Sequence, residues 1–405
     1  MRYSLVLLAV VSLPAAAQTP REALAARWNT ICATASTGLL LVRCTETATS
    51  SDPFANLTAA RGQHLEEIPG QARVATRGTE LQPGGFHVEL SPQVSLSGRD
   101  DPLRGLSLNL KGDLAARWSL FASVDAGRLD RQRGQNEAAF GANTLNLIAG
   151  VNVQPSERWL FGVAVDYNRE DLDFSATVSR AKAHYTGLVA TASYNASDAW
   201  VFDGYVGRLQ GGFDLVRSVK YVLPVIGGGQ YLVDTLAFAS PDSHRTVGGV
   251  ASSWNWARAG WQGDVTLGYD LTSTTIAAYT ENGGGGLALD VPGRTVKTRR
   301  GRIDATVGRA VSANWGVWQP SVRLGWRQEF SNKRRLVTLG LAEDQLDNPI
   351  TFDTEDPDPG WGEFGVGSVF TFTGGKSAFF EYRQRFAHDF LQERVLALGF
   401  RLELQ

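Results

Sequence analysis

Past its first seventeen residues the chain has no apolar run long enough to cross a bilayer as a helix. The best candidate, Gly38 to Val42 (GLLLV), falls far short of the ~20 residues required. Excess charge is lacking too: 39 Lys and Arg face 41 Asp and Glu, so nothing indicates a nucleic-acid partner. Histidine is scarce, and His64, His87, His184, His244 and His388 stand beside no G-x-S-x-G or comparable nucleophile motif. Histidines bonded to water at a rim are favoured over a lipase, which needs Ser and His in hydrogen-bonding reach. Asp353, Asp356 and Asp358 lie in a Pro-rich stretch, where acids are ordinarily solvated turn residues. Gly227–Gly229 and Gly283–Gly286 lack the following helix and the Lys of a phosphate loop, and read as hairpin tips. No enzyme activity, cofactor or metal is expected.

What is present begins with an export signal. Arg2 supplies a positive start, Leu5 to Leu13 an apolar stretch, and Ala15-Ala16-Ala17 a cleavage site before Gln18. Residues 1–17 are therefore expected to be a signal peptide. Both cysteines, Cys32 and Cys44, follow soon after, and in an oxidising compartment such a pair reads as a disulfide. Two free thiols or a partial metal site are the alternatives, the latter disfavoured because no histidine lies closer than His64.

From about Phe86 the sequence alternates with period two. Leu396, Leu398, Phe400, Leu402 and Leu404 share one face, opposed by Ala397, Gly399, Arg401 and Glu403. Val322, Leu324, Trp326 and Phe330 likewise oppose Arg323, Gly325, Arg327 and Glu329. A soluble sandwich would share this alternation; the connections separate the two. Tight links at Gln154–Glu157, Asn195–Asp198, Arg258–Gly260, Ser312–Trp315 and Thr373–Lys376 alternate with long polar ones, such as Ser218 to Arg245, Thr272 to Arg299 and Ser331 to Gly360. Short periplasmic turns alternating with long extracellular loops belong to outer-membrane barrels, the only sheets that satisfy every backbone group in lipid. Trp118, Trp159, Trp200 and Trp315 each follow a short turn, as an interfacial girdle requires.

The expected fold is all-β: a transmembrane antiparallel up-and-down barrel over residues 86–405, in the outer membrane of a Gram-negative bacterium. Twelve strands run from 116–130 to 393–404, with the fifth over 199–217 and the eighth over 300–312. Two further alternating stretches, Phe86–Leu96 and Leu106–Leu110, would make fourteen. Ahead of the barrel, 18–85 reads as a short, partly helical segment, with helices over Arg21–Ala35 and Leu57–Ile68. A periplasmic or lumenal position is expected for it, because a disulfide-closed element is awkward to thread through a pore.

The order and spacing of several stretches resemble the C-terminal translocator domain of autotransporters, the type V secretion proteins. They are Thr144 to Asn168, Glu281 to Leu289, Trp315 to Pro320, Arg323 to Phe330 with Arg334 and Arg335, Asp356 to Asp358, Phe379 to Tyr382, and Leu398 to Glu403. The likeness covers roughly 116–405. It implies a barrel through which an N-terminal passenger reaches the surface, and a last strand, with Leu398, Phe400, Leu402 and Leu404 toward lipid, read by the barrel-assembly machinery. Family members commonly end in an aromatic residue, whereas this chain ends Leu404-Gln405. The sixty-eight residues from Gln18 to Gly85 are too few for a stacked β-helical stalk.

The expectation is thus a non-enzymatic translocator barrel with little or no passenger, monomeric in lipid; the alternative is a freestanding channel or surface-interaction barrel. Arg323, Arg327, Glu329, Glu381, Arg383 and Arg401 are expected to form a charged lumenal network, because confined charges need partners. Lys297, Arg299, Arg300 and Arg302 are candidates for contact with lipopolysaccharide phosphates.

Overall fold

The computed structural model describes residues 20–47 and 117–404, apart from 135–137, 176–177, 225–229, 332–335, 355–357 and 374. The expected signal peptide, the helix at 57–68, the two extra strands, His64, His87, Gly227–Gly229, Arg334, Arg335 and Asp356 lie outside the described residues.

Twelve long strands make the barrel: β1 Arg117–Arg131, β2 Phe140–Gln154, β3 Trp159–Phe174, β4 Arg180–Asn195, β5 Trp200–Pro224 and β6 Asp242–Arg258, then β7 Trp261–Ile276, β8 Arg294–Arg309, β9 Gly316–Glu329, β10 Gly360–Phe372, β11 Lys376–Phe386 and β12 Leu391–Leu404. Each pairs antiparallel with its sequence neighbours, and β1 pairs with β12 from Trp118 opposite Leu404 to Arg131 opposite Leu391. The ring is closed, so no edge strand leaves backbone groups unpaired in lipid. Because β1 meets β12 directly, the count is twelve and the fourteen-strand alternative is excluded.

The alternation has the anticipated cause. Along β3, Trp159, Phe161, Val163 and Val165 are exposed on the outside, while Gly162, Ala164, Asp166, Asn168 and Glu170 are buried on the inside. Large apolar side chains turned away from the protein interior are stable only against hydrocarbon. At one end of the barrel the turns are tight. Between β6 and β7, Ala259 and Gly260 both have positive φ (50° and 79°), the two-residue hairpin whose twist matches that of its strands.

At the other end the connections have structure of their own. Strand β5 continues to Pro224, seven residues past its expected end, because Gln230–Ala239 folds back on it, from Leu215 opposite Ala239 to Pro224 opposite Gln230. Strand β8 begins at Arg294 rather than residue 300 and pairs there with Ile276. Four short strands from two different connections, Tyr279–Thr280, Leu289–Val291, Leu336–Leu341 and Ile350–Asp353, form a separate small sheet.

Two helices, α1 (Pro20–Thr34) and α2 (Gly38–Thr47), sit on this elaborated end. Leu24, Trp28 and Ile31 of α1 and Leu40 of α2 share one apolar core with Leu287, Leu289, Val337, Leu339, Ile350 and Phe352. Isolated helices of this length are marginal in water, so this shared core is what makes them stable. Residues 20–47 thus pack on the long-connection end of the barrel, where the connections, taken from sequence as solvated loops, present an apolar wall.

Candidate functional site at the outer mouth

The seat of the helical pair is built around the glycine run. Gly283, Gly284, Gly285 and Gly286 all have positive φ, a conformation that side chains with a Cβ resist. Space is a second reason. A Cβ on Gly286 would lie 2.6 Å from the Leu39 carbonyl carbon, and one on Gly283 would lie 2.5 Å from the Leu236 carbonyl oxygen. The run lets the backbone of α2 and the strand Gln230–Ala239 close on the same loop. Below it, Arg217 on the extended part of β5 donates through Nε to Glu281 Oε1 at 2.9 Å and through Nη2 to the Leu287 carbonyl at 2.8 Å. Glu281 also accepts the Leu289 N–H at 2.9 Å. This buried pair clamps two connections together, and each charge has hydrogen bonds that offset its desolvation. Burial in the same core pushes the Tyr279 phenol up to about 12.

Polar contacts fix the helical pair on this seat. Glu343 Oε2 accepts the Leu40 N–H at 2.9 Å, at the N-terminus of α2, where a carboxylate satisfies free backbone donors. Arg43 Nε donates to the Gly285 carbonyl at 2.8 Å, and Ser36 Oγ donates to Gln345 Oε1 at 3.1 Å. Cys32 and Cys44 form the expected disulfide between the helices, with 5.2 Å between their Cα atoms.

In the barrel interior the charged network spans one wall, but its centre is Asp304 on β8. Its carboxylate accepts from Arg302 Nη1 at 3.1 Å, Arg323 Nη2 at 3.1 Å and Arg327 Nη1 at 2.9 Å. Arg327 reaches on to Glu363 at 3.0 Å, Arg323 to Glu381 at 3.5 Å, and Arg383 to Asp125 at 3.3 Å. Of the other expected members, Arg401 pairs with Glu403 at 3.4 Å, and Glu329 accepts the backbone N–H groups of Arg299 and Ser331. The opposite wall is packed with Phe121, Ile148, Tyr185, Val189, Leu209 and Val247.

The remaining expected sites divide. Trp118, Trp159, Trp200 and Trp315 all face outward at the short-turn end. Trp254, Trp261 and Trp318 join them there and were not anticipated. Leu398 and Phe400 face outward on β12, Leu402 is half-buried, and Leu404 closes the register opposite Trp118. In the basic run, Lys297 and Arg299 point outward. Arg302 is buried in the interior with Asp270 and Asp304, and Arg300 turns inward over the Trp361 ring at 4.8 Å, so neither can touch lipid phosphates. Strand parity alone separates them. His184 and His244 lie on the outward face of β4 and β6, where exposed Gln210 stands opposite His244. His388, between β11 and β12, accepts N–H groups from Phe390 and Leu391 at 3.3 Å through Nδ1.

Comparison with known proteins agrees with this geometry. A sequence profile described as the autotransporter beta-domain matches residues 120–383. No match was found among curated proteins. Among solved structures, the fold is similar to the translocator domain of the autotransporter NalP from Neisseria meningitidis (TM-score 0.53, 12% identity, 79% of this chain and 97% of that one). It is also similar to the beta domain of the Bordetella autotransporter BrkA (TM-score 0.50, 17% identity, 72% of this chain and 100% of that one). A closed twelve-strand ring, tight turns at one end and a profile match over most of the barrel converge: the chain belongs to the autotransporter beta-domain family, as a barrel of the Gram-negative outer membrane.

Proposed function

We propose that this protein is a non-enzymatic translocator barrel whose exported element includes the disulfide-closed helical pair of residues 20–47, held at the cell surface on the barrel's own loops. One relationship carries the reading. The helical pair packs on the long-connection end, whereas β1 starts with Trp118 in the aromatic girdle of the short-turn end. In this fold class long connections are extracellular and short turns periplasmic. The helical pair and the start of β1 therefore sit at opposite ends of a closed ring of strands, the separation that export through the barrel would produce. The outward strand β12, with Leu398 and Phe400 toward hydrocarbon, is the surface on which the assembly machinery would act.

The freestanding-channel reading is less well supported. Lumen-facing side chains on both walls, Arg327 and Leu209 among them, are almost fully buried, which disfavours a wide water-filled pore. The test is an antibody raised against residues 20–47 and applied to intact cells. Staining without permeabilisation is expected; staining only after the outer membrane is opened would contradict the proposal.

A further inference from the structure

The outward face carries a second feature, at the seam where the barrel closes. Arg128 on β1 stands directly opposite Arg394 on β12, and both side chains are exposed on the outside. Residues so paired have Cβ atoms about 5 Å apart, and like charges in that position destabilise a sheet. Arg128 is partly offset: it bonds Asp130 at 3.1 Å and donates to Asn143 Oδ1 at 3.3 Å. Among the described residues Arg394 has no ion pair, and its other cross-strand neighbour is Gln384.

Depth identifies the surroundings of the pair. Below it on the same face lie Ala126 opposite Leu396, then Val124 opposite Leu398, Ala122 opposite Phe400, and Trp118 at the far girdle. Arg128 is ten residues beyond Trp118. At about 3.4 Å per residue and a strand tilt of about 40–45°, that is a rise of roughly 25 Å, the height of the apolar band. The two guanidinium groups therefore meet the outer edge of the hydrocarbon, where the headgroups of the outer leaflet begin. Along β7, β9, β10 and β11 the same edge is aromatic, with Tyr269, Trp326, Phe330, Phe364 and Phe386 exposed. The seam has arginines instead.

We propose that Arg128 and Arg394 clamp a phosphate of lipopolysaccharide, so that a glycolipid headgroup bridges the first and last strands. Guanidinium forks bind phosphate bidentately, and a dianion between two like charges converts their repulsion into attraction. The site differs from the outward residues of the basic run: Lys297 and Arg299 face Ser273 and Leu271, with no second cation opposite.

The test uses the full chain refolded in detergent, titrated with diphosphoryl lipid A, with the same lipid stripped of its phosphates, and with inorganic phosphate. Native mass spectrometry gives the affinity, and loss of heat-modifiable gel mobility gives the unfolding midpoint. Diphosphoryl lipid A should raise the midpoint, and the other two should not. Arg128→Gln/Arg394→Gln should weaken its binding at least about tenfold, the loss of a charge-assisted contact. Arg394→Glu, which places a carboxylate opposite Arg128, should keep or raise the lipid-free midpoint yet lose the response. Lys297→Ala/Arg299→Ala should respond like the wild type. An unchanged response in either seam variant, loss of response in the Lys297/Arg299 variant alone, or an equal response to phosphate-free lipid or to inorganic phosphate would overturn the assignment.

Discussion

The Glu343 carboxylate accepts the backbone N–H of Leu40 at 2.9 Å, across more than three hundred residues of sequence. A loop of the barrel thus caps the second helix of the N-terminal pair, a task usually done by a residue at the helix's own start. Removing a cap costs about 1 kcal/mol. Glu343→Ala should loosen α2 by that amount, seen as faster amide exchange at Leu40 and Leu41. Exchange in the barrel strands should not change. Equal acceleration throughout would mean that the cap supports the fold and not the docking.

The disulfide makes a separate prediction. Closing a loop of this size removes unfolded-chain entropy worth about 3 kcal/mol. Cys32→Ala/Cys44→Ala should leave α1 and α2 open to protease on intact cells while the barrel keeps its heat-modifiable gel mobility. Both parts failing together would show that the helical pair is needed for barrel assembly.

Inside the barrel, Asp304 neutralises three arginines at once. Breaking a buried ionic cluster by removing one partner costs about 3–5 kcal/mol, because the remaining charges are stranded. Asp304→Ala should lower the yield of folded barrel and its unfolding midpoint markedly, whereas Glu403→Ala, beside Arg401 near the periplasmic end, should have a small effect. A midpoint for Asp304→Ala within error of wild type would rule out a bracing role.

His388 gives a pH dependence. Burial, together with Arg385 nearby, lowers its pKa from 6.5 to about 4. Its Nδ1 accepts two backbone N–H groups, so it serves the fold only when unprotonated, and the 3.5 Å approach of Asp358 is not an ion pair. The unfolded chain takes up the proton near pH 6.5 and the folded one only near 4. Its contribution is therefore full above about 6.5 and is lost as the pH falls toward 4. His388→Asn, which keeps an acceptor, should flatten the stability profile across that window; an unchanged slope would place the effect elsewhere.

How much of this was legible in the sequence depends on which surface each residue faces. Trp118, Trp159, Trp200 and Trp315 were found because each follows the same kind of tight turn. Trp261 follows the tight link Arg258–Gly260 in the same way and was overlooked. Trp254 shares the depth but precedes that turn, so a rule based on what precedes the residue missed it. Arg300 and Arg302 were misplaced because a basic run was read as a unit. Applying the period to β8, where Ile303 and Ala305 face outward, turns both residues into the lumen. The seat of the helical pair was not legible. Leu339, Ile350 and Phe352 lie in short strands within long polar connections, and their partners Leu24, Trp28 and Ile31 are some three hundred residues away. No local pattern announces a core assembled over that separation.

The central claim, that the helical pair rests on the outer loops of its own barrel, has a direct test. A benzophenone side chain placed at Ser36, beside Gln345, and irradiated in intact cells should cross-link to a peptide from the Leu336–Ile350 connection, identified by mass spectrometry. The account predicts that adduct at the cell surface. Adducts only to periplasmic proteins, or to the short-turn end of the barrel, would contradict it.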